Sequence, residues 1–281
     1  MALFLVDPAT GEWTRGDLAV PVLAADDLAA TRGDGIFEAA LVRGGEIRAL
    51  DLHLERFRTS ARRLDLGGAS PEVWRPALLG ALAEIGDQEE DFSIRWFLTR
   101  GREGDGIAQG WIITGRVPES TLREREHGIS VLTLPRGYAA GLAGDAPWLL
   151  IGVKSLSYAT ALAATRFAAA HGAEDAIYVT TDGFVLEAPR SNVVIARGRE
   201  LLTPDPAIGL LHGTTQRFLF ERARAAGWEC RYTRLRVEDL HAADAVWLVS
   251  SLRMAVRVHH LNGTRLRESP EADAAMAEFL A

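Results

Sequence analysis

The chain has 281 residues, 48% hydrophobic and 25% charged, as expected of a globular protein that buries the core of one large or two medium domains. Its net charge of −7 gives no electrostatic reason to expect nucleic acid or an anionic membrane as a partner. No apolar run reaches the length of a membrane span, and no secretion signal is predicted at the N-terminus. The single cysteine, Cys230, excludes an internal disulfide and a cysteine-cluster metal site, so a reducing cytoplasm is the expected compartment.

Residues 1–118 are predicted to form a small α+β domain, because two helical patterns lie among strand-like segments. The clearest strand is FSIRWFLT, in which every second residue from Phe92 to Leu98 is large and apolar. In order, the sequence predicts a hairpin over 37–50, a helix with Asp51 as its N-cap that runs to Leu64, a helix from Ser70 and Pro71 to about Ile85, and strands over 92–99 and 109–115.

Residues 119–128 are polar and charged without apolar periodicity, and they are predicted to be an interdomain linker. The remainder, residues 129–281, is predicted to be a larger, β-rich C-terminal domain, which makes the whole chain a two-domain α+β protein. Its predicted elements are strands over 129–134, 148–153 and 176–181, helices over 159–171 and 215–226, and turns at Asp182-Gly183 and Asn262-Gly263.

The 31 Lys and Arg residues include a single lysine, Lys154, in the segment IGVKSLSY. An amine can lose its proton near neutral pH and attack a carbonyl, whereas a guanidinium stays charged. Lys154 is predicted to follow an apolar strand and to precede a helix capped by Ser157, where burial would disfavour the charged form of an amine. The alternative is a structural lysine at a strand end whose charge reaches solvent.

Two further segments carry groups that could act together with an amine. Gly213-Thr214-Thr215 opens a predicted helix, so its free N–H groups and hydroxyls could bind a phosphate, although Thr214 could equally be a simple N-cap. Glu187 lies in an apolar strand context, where its carboxylate needs a partner such as a protonated heterocycle or Arg190. An amine, an anion site and a carboxylate for a pyridinium nitrogen are together what pyridoxal 5'-phosphate requires.

Six segments, in order, make the chain resemble the fold-type-IV pyridoxal-phosphate enzymes, which include branched-chain and D-amino-acid aminotransferases and 4-amino-4-deoxychorismate lyase. They are RGDGIFEAALV, HLERFRTSARRL, KSLSY, DGFVLEAPRSNVV, LLHGTTQ and SSLRMAVRV, and they cover nearly the whole chain. The resemblance implies a smaller N-terminal and a larger β-rich C-terminal domain, a pyridoxal-phosphate cofactor, an amino-acid-like substrate and a homodimer.

The resemblance also implies roles for particular residues. Lys154 matches the Schiff-base lysine that also carries protons, and Glu187 matches the carboxylate that bonds the pyridine nitrogen. Ser157 stands where the family more usually has asparagine, so an amide-specific contact is lost there. The remaining cofactor contacts implied are Arg56, Thr214 and Thr215 on the phosphate, Tyr158 on the cofactor phenolate, and Ser250 and Ser251 as an additional phosphate contact.

Two segments favour the lyase over the aminotransferases. SSLRMAVRV and EAPRSN resemble the lyase forms of these motifs, and Leu252 stands where aminotransferases usually have serine or threonine. Glu38 points the other way, because D-amino-acid aminotransferases commonly carry it where some lyases have threonine. The expected activity is therefore release of pyruvate and 4-aminobenzoate from aminodeoxychorismate for folate synthesis. The alternative is an aminotransferase that acts on D-amino acids or branched-chain amino acids.

The substrate carboxylate needs a cation, and the candidates lie on or after the predicted strand 92–99. Arg95 resembles the arginine of the Y-I-R segment in branched-chain enzymes, while Arg100 and Arg102 are alternatives at the strand end. Each could instead be a surface arginine, since arginine carries nearly all of the positive charge of this chain. Together with Glu38, Arg95 and Arg100 form the predicted substrate-binding set.

Overall fold

A computed structural model describes residues 1–86 and 90–281. The chain divides into two compact units: unit 1 comprises Met1–Pro118 and Val153–Tyr158, and unit 2 comprises Glu119–Gly152 and Ala159–Ala281. The short segment that carries Lys154 therefore packs with unit 1, although unit 2 precedes and follows it in the sequence. Among the described helices, none is long and apolar enough to cross a membrane.

The described part of unit 1 is built on a six-stranded, fully antiparallel sheet with the strand order β2-β1-β6-β5-β3-β4. The predicted hairpin and both predicted strands of this half are confirmed. The strands are β1 (Ala2–Val6), β2 (Trp13–Gly16), β3 (Gly35–Arg43), β4 (Glu46–Ile47), β5 (Phe92–Thr99) and β6 (Gln109–Arg116).

The helices of unit 1 are α1 (Leu28–Arg32), α2 (Leu50–Arg63) and α3 (Pro71–Ile85). Asp51 was wrongly predicted to cap α2, because the cap is Ala49, which adopts a left-handed φ of 52° and makes no side-chain capping bond. Asp51 lies instead in the first turn, where a carboxylate is favoured by the helix dipole. The core contains Phe57 of α2 and Trp74 of α3, whose ring centroids lie 5.1 Å apart in an edge-on arrangement.

Unit 2 contains a nine-stranded sheet in which parallel and antiparallel pairs are mixed. Its main path runs β12-β11-β10-β13-β14-β7-β8, while β15 pairs with β14 and β9 pairs with β10. The strands are β7 (Ile129–Pro135), β8 (Asp175–Val179), β9 (Glu187–Ala188), β10 (Ser191–Arg197), β11 (Glu200–Pro204), β12 (Glu229–Thr233), β13 (Ala245–Ser250), β14 (Met254–Leu261) and β15 (Thr264–Arg265).

Unit 2 has a helix at each of the two positions that the sequence predicted, 159–171 and 215–226. Asn262 and Gly263 form the predicted turn, with φ of 52° and 78°, and join β14 to β15. The helices are α4 (Glu119–His127), α5 (Leu142–Asp145), α6 (Ala159–Ala170), α7 (Thr214–Ala225), α8 (Val237–Ala242) and α9 (Pro270–Leu280).

One predicted strand is wrong. Residues 148–153 form no strand: a short 3-10 turn occupies Pro147–Leu149. Leu150 follows with a left-handed φ of 53° and Gly152 with a φ of 77°, and a chain with these angles cannot continue as an extended strand. The apolar run gave the strand signal, but Trp148 is 74% exposed and packs into no sheet.

The segment predicted to be a linker, 119–128, forms helix α4 within unit 2. None of its residues is buried, which is why no apolar periodicity marks it in the sequence. Its ends do carry a helical signal, with Glu119 in the first turn and Arg125 and His127 in the last, as the helix dipole favours.

Candidate active site

Lys154 lies on a short extended segment beside β3. The Phe37 N–H donates to the Lys154 carbonyl at 3.1 Å, and Ile36 pairs with Ser155 in an antiparallel bridge. The Lys154 N–H donates to the Ser60 hydroxyl at 3.3 Å. The backbone of the lysine is therefore held by hydrogen bonds to a strand and to a helix of the same unit.

The side chain of Lys154 is half-buried among aromatic rings. Its Nζ lies 4.5 Å from the centroid of the Phe37 ring and 5.8 Å from that of Tyr158, and these two rings contact each other edge-on. The position differs from the predicted one, because no strand precedes the lysine. Ser157 does not directly precede α6 as its predicted cap would, and its hydroxyl donates to the Gly33 carbonyl at 3.3 Å.

Behind this segment, Glu38 of β3 forms a buried ionic cluster with two residues of α2. Arg56 Nε and Nη2 each lie 2.7 Å from one carboxylate oxygen, and His53 Nδ1 lies 2.7 Å from Glu38 Oε2. Burial alone would raise the pKa of Glu38, but the charge and hydrogen bonds of Arg56, aided by His53, hold it well below its usual range. Glu38 is therefore ionised and orients the Arg56 guanidinium by a two-pronged contact.

The pKa of His53 moves down, mainly because the ring is completely buried. Glu38 opposes this change, while the positive charges of Arg56 and Lys154 reinforce it. A neutral imidazole at this place keeps a further positive charge away from Lys154. His53 was not predicted from the sequence, because its role depends on a carboxylate fifteen residues away on another element.

The carboxylate of Glu38, which was predicted to contact the substrate, has no exposed surface and is shared between Arg56 and His53. Arg100 is likewise occupied: its Nε donates to Asp34 at 2.7 Å and its Nη2 to the Leu64 carbonyl at 2.7 Å. Arg102 pairs with Asp26 at 2.8 Å.

Arg95 is placed differently from these two arginines. The register pairs Phe97 with Phe37 and Arg95 with Ala39, so the side chains of Arg95 and Phe37 leave the sheet on one face. Arg95 Nε is buried, and no hydrogen-bond partner for it exists among residues 1–86 and 90–281. On the same face, Phe37, Phe97 and Trp111 form an aromatic row, with stacked centroids 5.9 Å and 4.9 Å apart.

Unit 2 carries a cluster of hydroxyl groups at the start of α7. Ser251 Oγ lies 3.2 Å from Thr215 Oγ1 and 3.5 Å from Thr214 Oγ1. The predicted alternative for Thr214, a simple N-cap, is wrong, because the cap position is Gly213 and no side chain caps the helix. The start of α7 and three hydroxyls thus lie together, as in sites that bind phosphate.

The loop before α7 is fixed by Asn192 of β10, a residue that the sequence analysis did not single out. Its Nδ2 donates to the Leu211 carbonyl at 2.8 Å. A Cβ atom on Gly213 would lie only 1.9 Å from Asn192 Oδ1, so a larger residue at the entry to the helix requires the Asn192 side chain or the loop to move. The motif SNVV, in which Asn192 follows Ser191, was the available signal.

Glu187 lies on β9 and is half-buried, and its Oε2 accepts a hydrogen bond from the Leu211 N–H at 3.2 Å. Arg190, the alternative partner considered for it, is exposed. Tyr138 is a second residue that the sequence analysis missed: its hydroxyl donates to the Gly209 carbonyl at 2.7 Å. Burial, aided by the negative charge of Glu187, raises the pKa of Tyr138 to about 12, so Tyr138 remains a neutral donor.

These groups fit pyridoxal phosphate on chemical grounds. Unit 1 presents an amine backed by aromatic rings, and unit 2 presents a hydroxyl-lined helix start and a carboxylate, each held by its own hydrogen bonds. A phosphorylated pyridine aldehyde requires this donor set. Fold and site together therefore define a pyridoxal-phosphate enzyme.

Comparison with known proteins names the family. The model for amino-transferase class IV matches residues 35–261. A Mycobacterium tuberculosis protein named bifunctional aminodeoxychorismate lyase / D-amino acid transaminase is 45% identical over 263 residues, covering 90% of this chain and 91% of the relative. This chain belongs to the class IV aminotransferase family, is an enzyme, and uses pyridoxal phosphate.

Solved structures bear out the predicted fold class. A hypothetical aminotransferase from Mycobacterium tuberculosis in its PLP-bound form has a TM-score of 0.94 and 41% identity, and the match covers 100% of this chain and 97% of that one. A fold IV-transaminase from Curtobacterium pusillum has a TM-score of 0.92 and 38% identity, over 99% and 96% of the two chains. The predicted two-domain α+β architecture of fold type IV is thus confirmed.

Proposed function

We propose that this enzyme is a 4-amino-4-deoxychorismate lyase that releases pyruvate and 4-aminobenzoate. The observation that carries the proposal is the face of unit 1 around Lys154, where the aromatic row Phe37, Phe97 and Trp111 adjoins Arg95. A ring-shaped substrate with carboxylates suits an apolar aromatic wall next to a guanidinium better than a short aliphatic amino acid does.

A second activity, transamination of D-amino acids, has its own support. The 45% identical mycobacterial relative is named for both reactions. Both begin with loss of the proton from the carbon that bears the substrate amine, so one set of residues could serve both. We therefore propose the lyase as the main activity and D-amino-acid transamination as the alternative or accompanying one.

The cofactor residues proposed here are those that the motifs indicated. Lys154 would bond the cofactor aldehyde, Glu187 would bond the pyridine nitrogen, and Tyr158 would contact the phenolic oxygen. Arg56 and four hydroxyl residues of unit 2 would hold the phosphate: Thr214, Thr215, Ser250 and Ser251. When bound, pyridoxal phosphate supplies an electron sink for the charge left on the substrate carbon.

The chain itself supplies proton transfer and orientation. Lys154 Nζ, a half-buried amine beside the Phe37 ring, would take the proton from the carbon that bears the substrate amine. Arg95 would bind a substrate carboxylate with the Nε that lacks a protein partner within the described chain. Glu38 acts indirectly, by holding Arg56 in the orientation that a phosphate needs.

The two activities are separated by two assays on the pure protein. In the first, aminodeoxychorismate is supplied and pyruvate and 4-aminobenzoate are measured; in the second, D-alanine and 2-oxoglutarate are supplied and keto-acid exchange is measured. We expect product in the first assay at a higher kcat/KM than in the second. Exchange without any aminobenzoate would remove the lyase proposal and leave the transaminase.

Arg95→Met separates a substrate-binding role from a structural one. We expect KM for aminodeoxychorismate to rise about tenfold or more, because a carboxylate loses its charged partner, while cofactor absorbance stays unchanged. Arg102→Met is the matched control, because its guanidinium pairs with Asp26. Equal KM values for the two variants would show that Arg95 does not bind the substrate.

A further inference from the structure

Arg253 is the last residue of the Ser251-Leu252-Arg253 turn between β13 and β14, and it is almost fully buried in unit 2. Its Nε donates to Glu124 Oε2 at 2.8 Å and its Nη2 to Glu124 Oε1 at 3.2 Å. Its Nη1 bonds Asp175 of β8 and lies 3.3 Å from the Ser191 hydroxyl. A buried guanidinium with two carboxylates and a hydroxyl is held in one orientation.

Helix α4 contacts the same turn a second time. Arg125, the neighbour of Glu124, donates through its Nε to the Leu252 carbonyl at 3.0 Å. Adjacent residues of α4 thus hold two successive residues of the turn, one through a side chain and one through the backbone. Met254, next along the chain, has a left-handed φ of 56°, a conformation that a non-glycine residue adopts only where its surroundings impose it.

Ser251 is the point at which this turn meets the hydroxyl cluster. Its Oγ lies 3.2 Å from Thr215 Oγ1, and the residue that follows is the one whose carbonyl Arg125 binds. A shift of the turn by a fraction of an ångström would move this hydroxyl away from the start of α7. The position of Ser251 therefore depends on the contacts that Glu124 and Arg125 make with the turn, one of them through Arg253.

We propose that Glu124, Asp175 and Arg253 are positioning residues for the cofactor phosphate, acting through the turn that carries Ser251. This inference rests on the proposed phosphate site at Thr214, Thr215 and Ser251. No atom of the three residues needs to touch the cofactor: they hold Ser251 beside Thr215. The polar helix α4 then has a function in the site, since it supplies Glu124.

The test compares pyridoxal phosphate with pyridoxal, which lacks the phosphate. Apoprotein of each variant is titrated with both compounds. The dissociation constant of pyridoxal divided by that of pyridoxal phosphate measures how well the phosphate is recognised, and a lower ratio means weaker recognition. For Glu124→Gln we expect binding of pyridoxal phosphate to weaken about tenfold with binding of pyridoxal unchanged, since one charge-assisted contact to the turn is lost. Arg125→Met, which leaves no buried charge behind, should also lower this ratio, by about threefold.

Two reference variants distinguish failure of the proposed phosphate site from failure of the positioning role. Thr215→Val removes a proposed phosphate contact and should lower the ratio by itself; an unchanged ratio would refute the phosphate site and this inference with it. Asp273→Asn removes the carboxylate partner of Arg257, a buried arginine on β14, and should leave the ratio unchanged. If Thr215→Val lowers the ratio while Glu124→Gln and Arg125→Met do not, or if they weaken both compounds equally, the positioning role is wrong and the phosphate site stands.

Discussion

Lys154 is held at both ends, by backbone hydrogen bonds to β3 and by aromatic rings around its amine. An arginine elsewhere in this chain supplies charge, but at this position only an amine can bond an aldehyde, which a guanidinium cannot do. The pKa of Glu38 is lowered against the effect of its burial, chiefly by Arg56, and the pKa of His53 is lowered chiefly by burial, against the effect of Glu38. At the scale of single residues, the site depends on these protonation states.

Lys154→Arg should lower turnover by about 10³-fold or more, because a guanidinium keeps the charge but cannot carry the proton. Borohydride reduction of the wild-type holoenzyme should attach the cofactor covalently at Lys154, as read by mass spectrometry, and the variant should show no such mass increase. An unchanged melting temperature is the control for folding. Turnover near the wild-type rate in Lys154→Arg would contradict the proposed role.

The lowered pKa of His53 predicts that the stability of the protein depends on pH. Its pKa is lower in the folded state than the ordinary value of 6.5, so below that value the unfolded chain takes up a proton that the folded state resists. The free energy of unfolding should therefore fall as the pH falls below about 6.5, and His53→Asn should remove this part of the slope. Urea unfolding at a series of pH values measures it.

The control for this measurement is His171→Asn, which changes an exposed histidine at the end of α6 and should keep the wild-type slope. Below about pH 5 a second loss is expected, because Glu38 also has a lowered pKa and its contribution disappears as it becomes protonated. A wild-type slope in His53→Asn between pH 7 and 5.5, about the range of histidine titration, would show that His53 is not the source.

The proposed cofactor residues of unit 2 lie at the ends of helices and strands. The start of α7 supplies N–H groups and two hydroxyls, the turn after β13 supplies Ser251, and the first residue of β9 supplies Glu187. Helix α4 has no buried residue and is stabilised by ion pairs, including Arg123–Glu119 at 3.2 Å and Glu124–Arg253 at 2.8 Å. An element without an apolar face can thus fold where another element supplies charged partners.

Gly213→Ala tests the entry to α7. The added Cβ would overlap Asn192 Oδ1, so either the loop or the Asn192 side chain must shift; we expect a loss of about 1–3 kcal/mol in the free energy of unfolding and weaker binding of pyridoxal phosphate. Gly144→Ala, in α5, is the matched control because its Cβ would meet no atom within 4 Å. Equal stability and equal affinity in the two variants would contradict the steric argument.

At the scale of the whole molecule, we propose a homodimer. Unit 1 exposes large apolar side chains, among them Val20 at 58% and Ile107 at 62%, which a partner subunit could cover. Both residues, with Leu5 and Trp13, also line a surface cavity of about 560 Å³ in unit 1.

Light scattering on the purified holoenzyme should give about twice the chain mass of 30.5 kDa. Ile107→Glu should shift this mass toward that of one chain, because a buried charge without a partner is costly in an apolar interface. Glu103→Lys, in the same loop, serves as a control for a charge change alone. A mass of one chain for the wild type over a range of protein concentrations would rule out the homodimer.

Local patterns in the sequence predicted most elements well, because the periodicity of helices and strands and the residues of their turns can be recognised within a few residues. The alternation of β5 and the Asn262-Gly263 turn are examples, and both are confirmed. The errors have local causes too: positive φ values at Leu150 and Gly152 break an apolar run, and α4 has no apolar face to detect.

The sequence by itself determined the class of enzyme and its cofactor, because the single lysine, the Gly-Thr-Thr helix start and the ordered motifs are written in short stretches of chain. The tertiary structure decided which groups meet. Glu38 orients Arg56 from another element, and Glu124 holds Arg253 from 129 residues away. Such pairs depend on how sheets and helices pack across the fold, and no local periodicity records that packing.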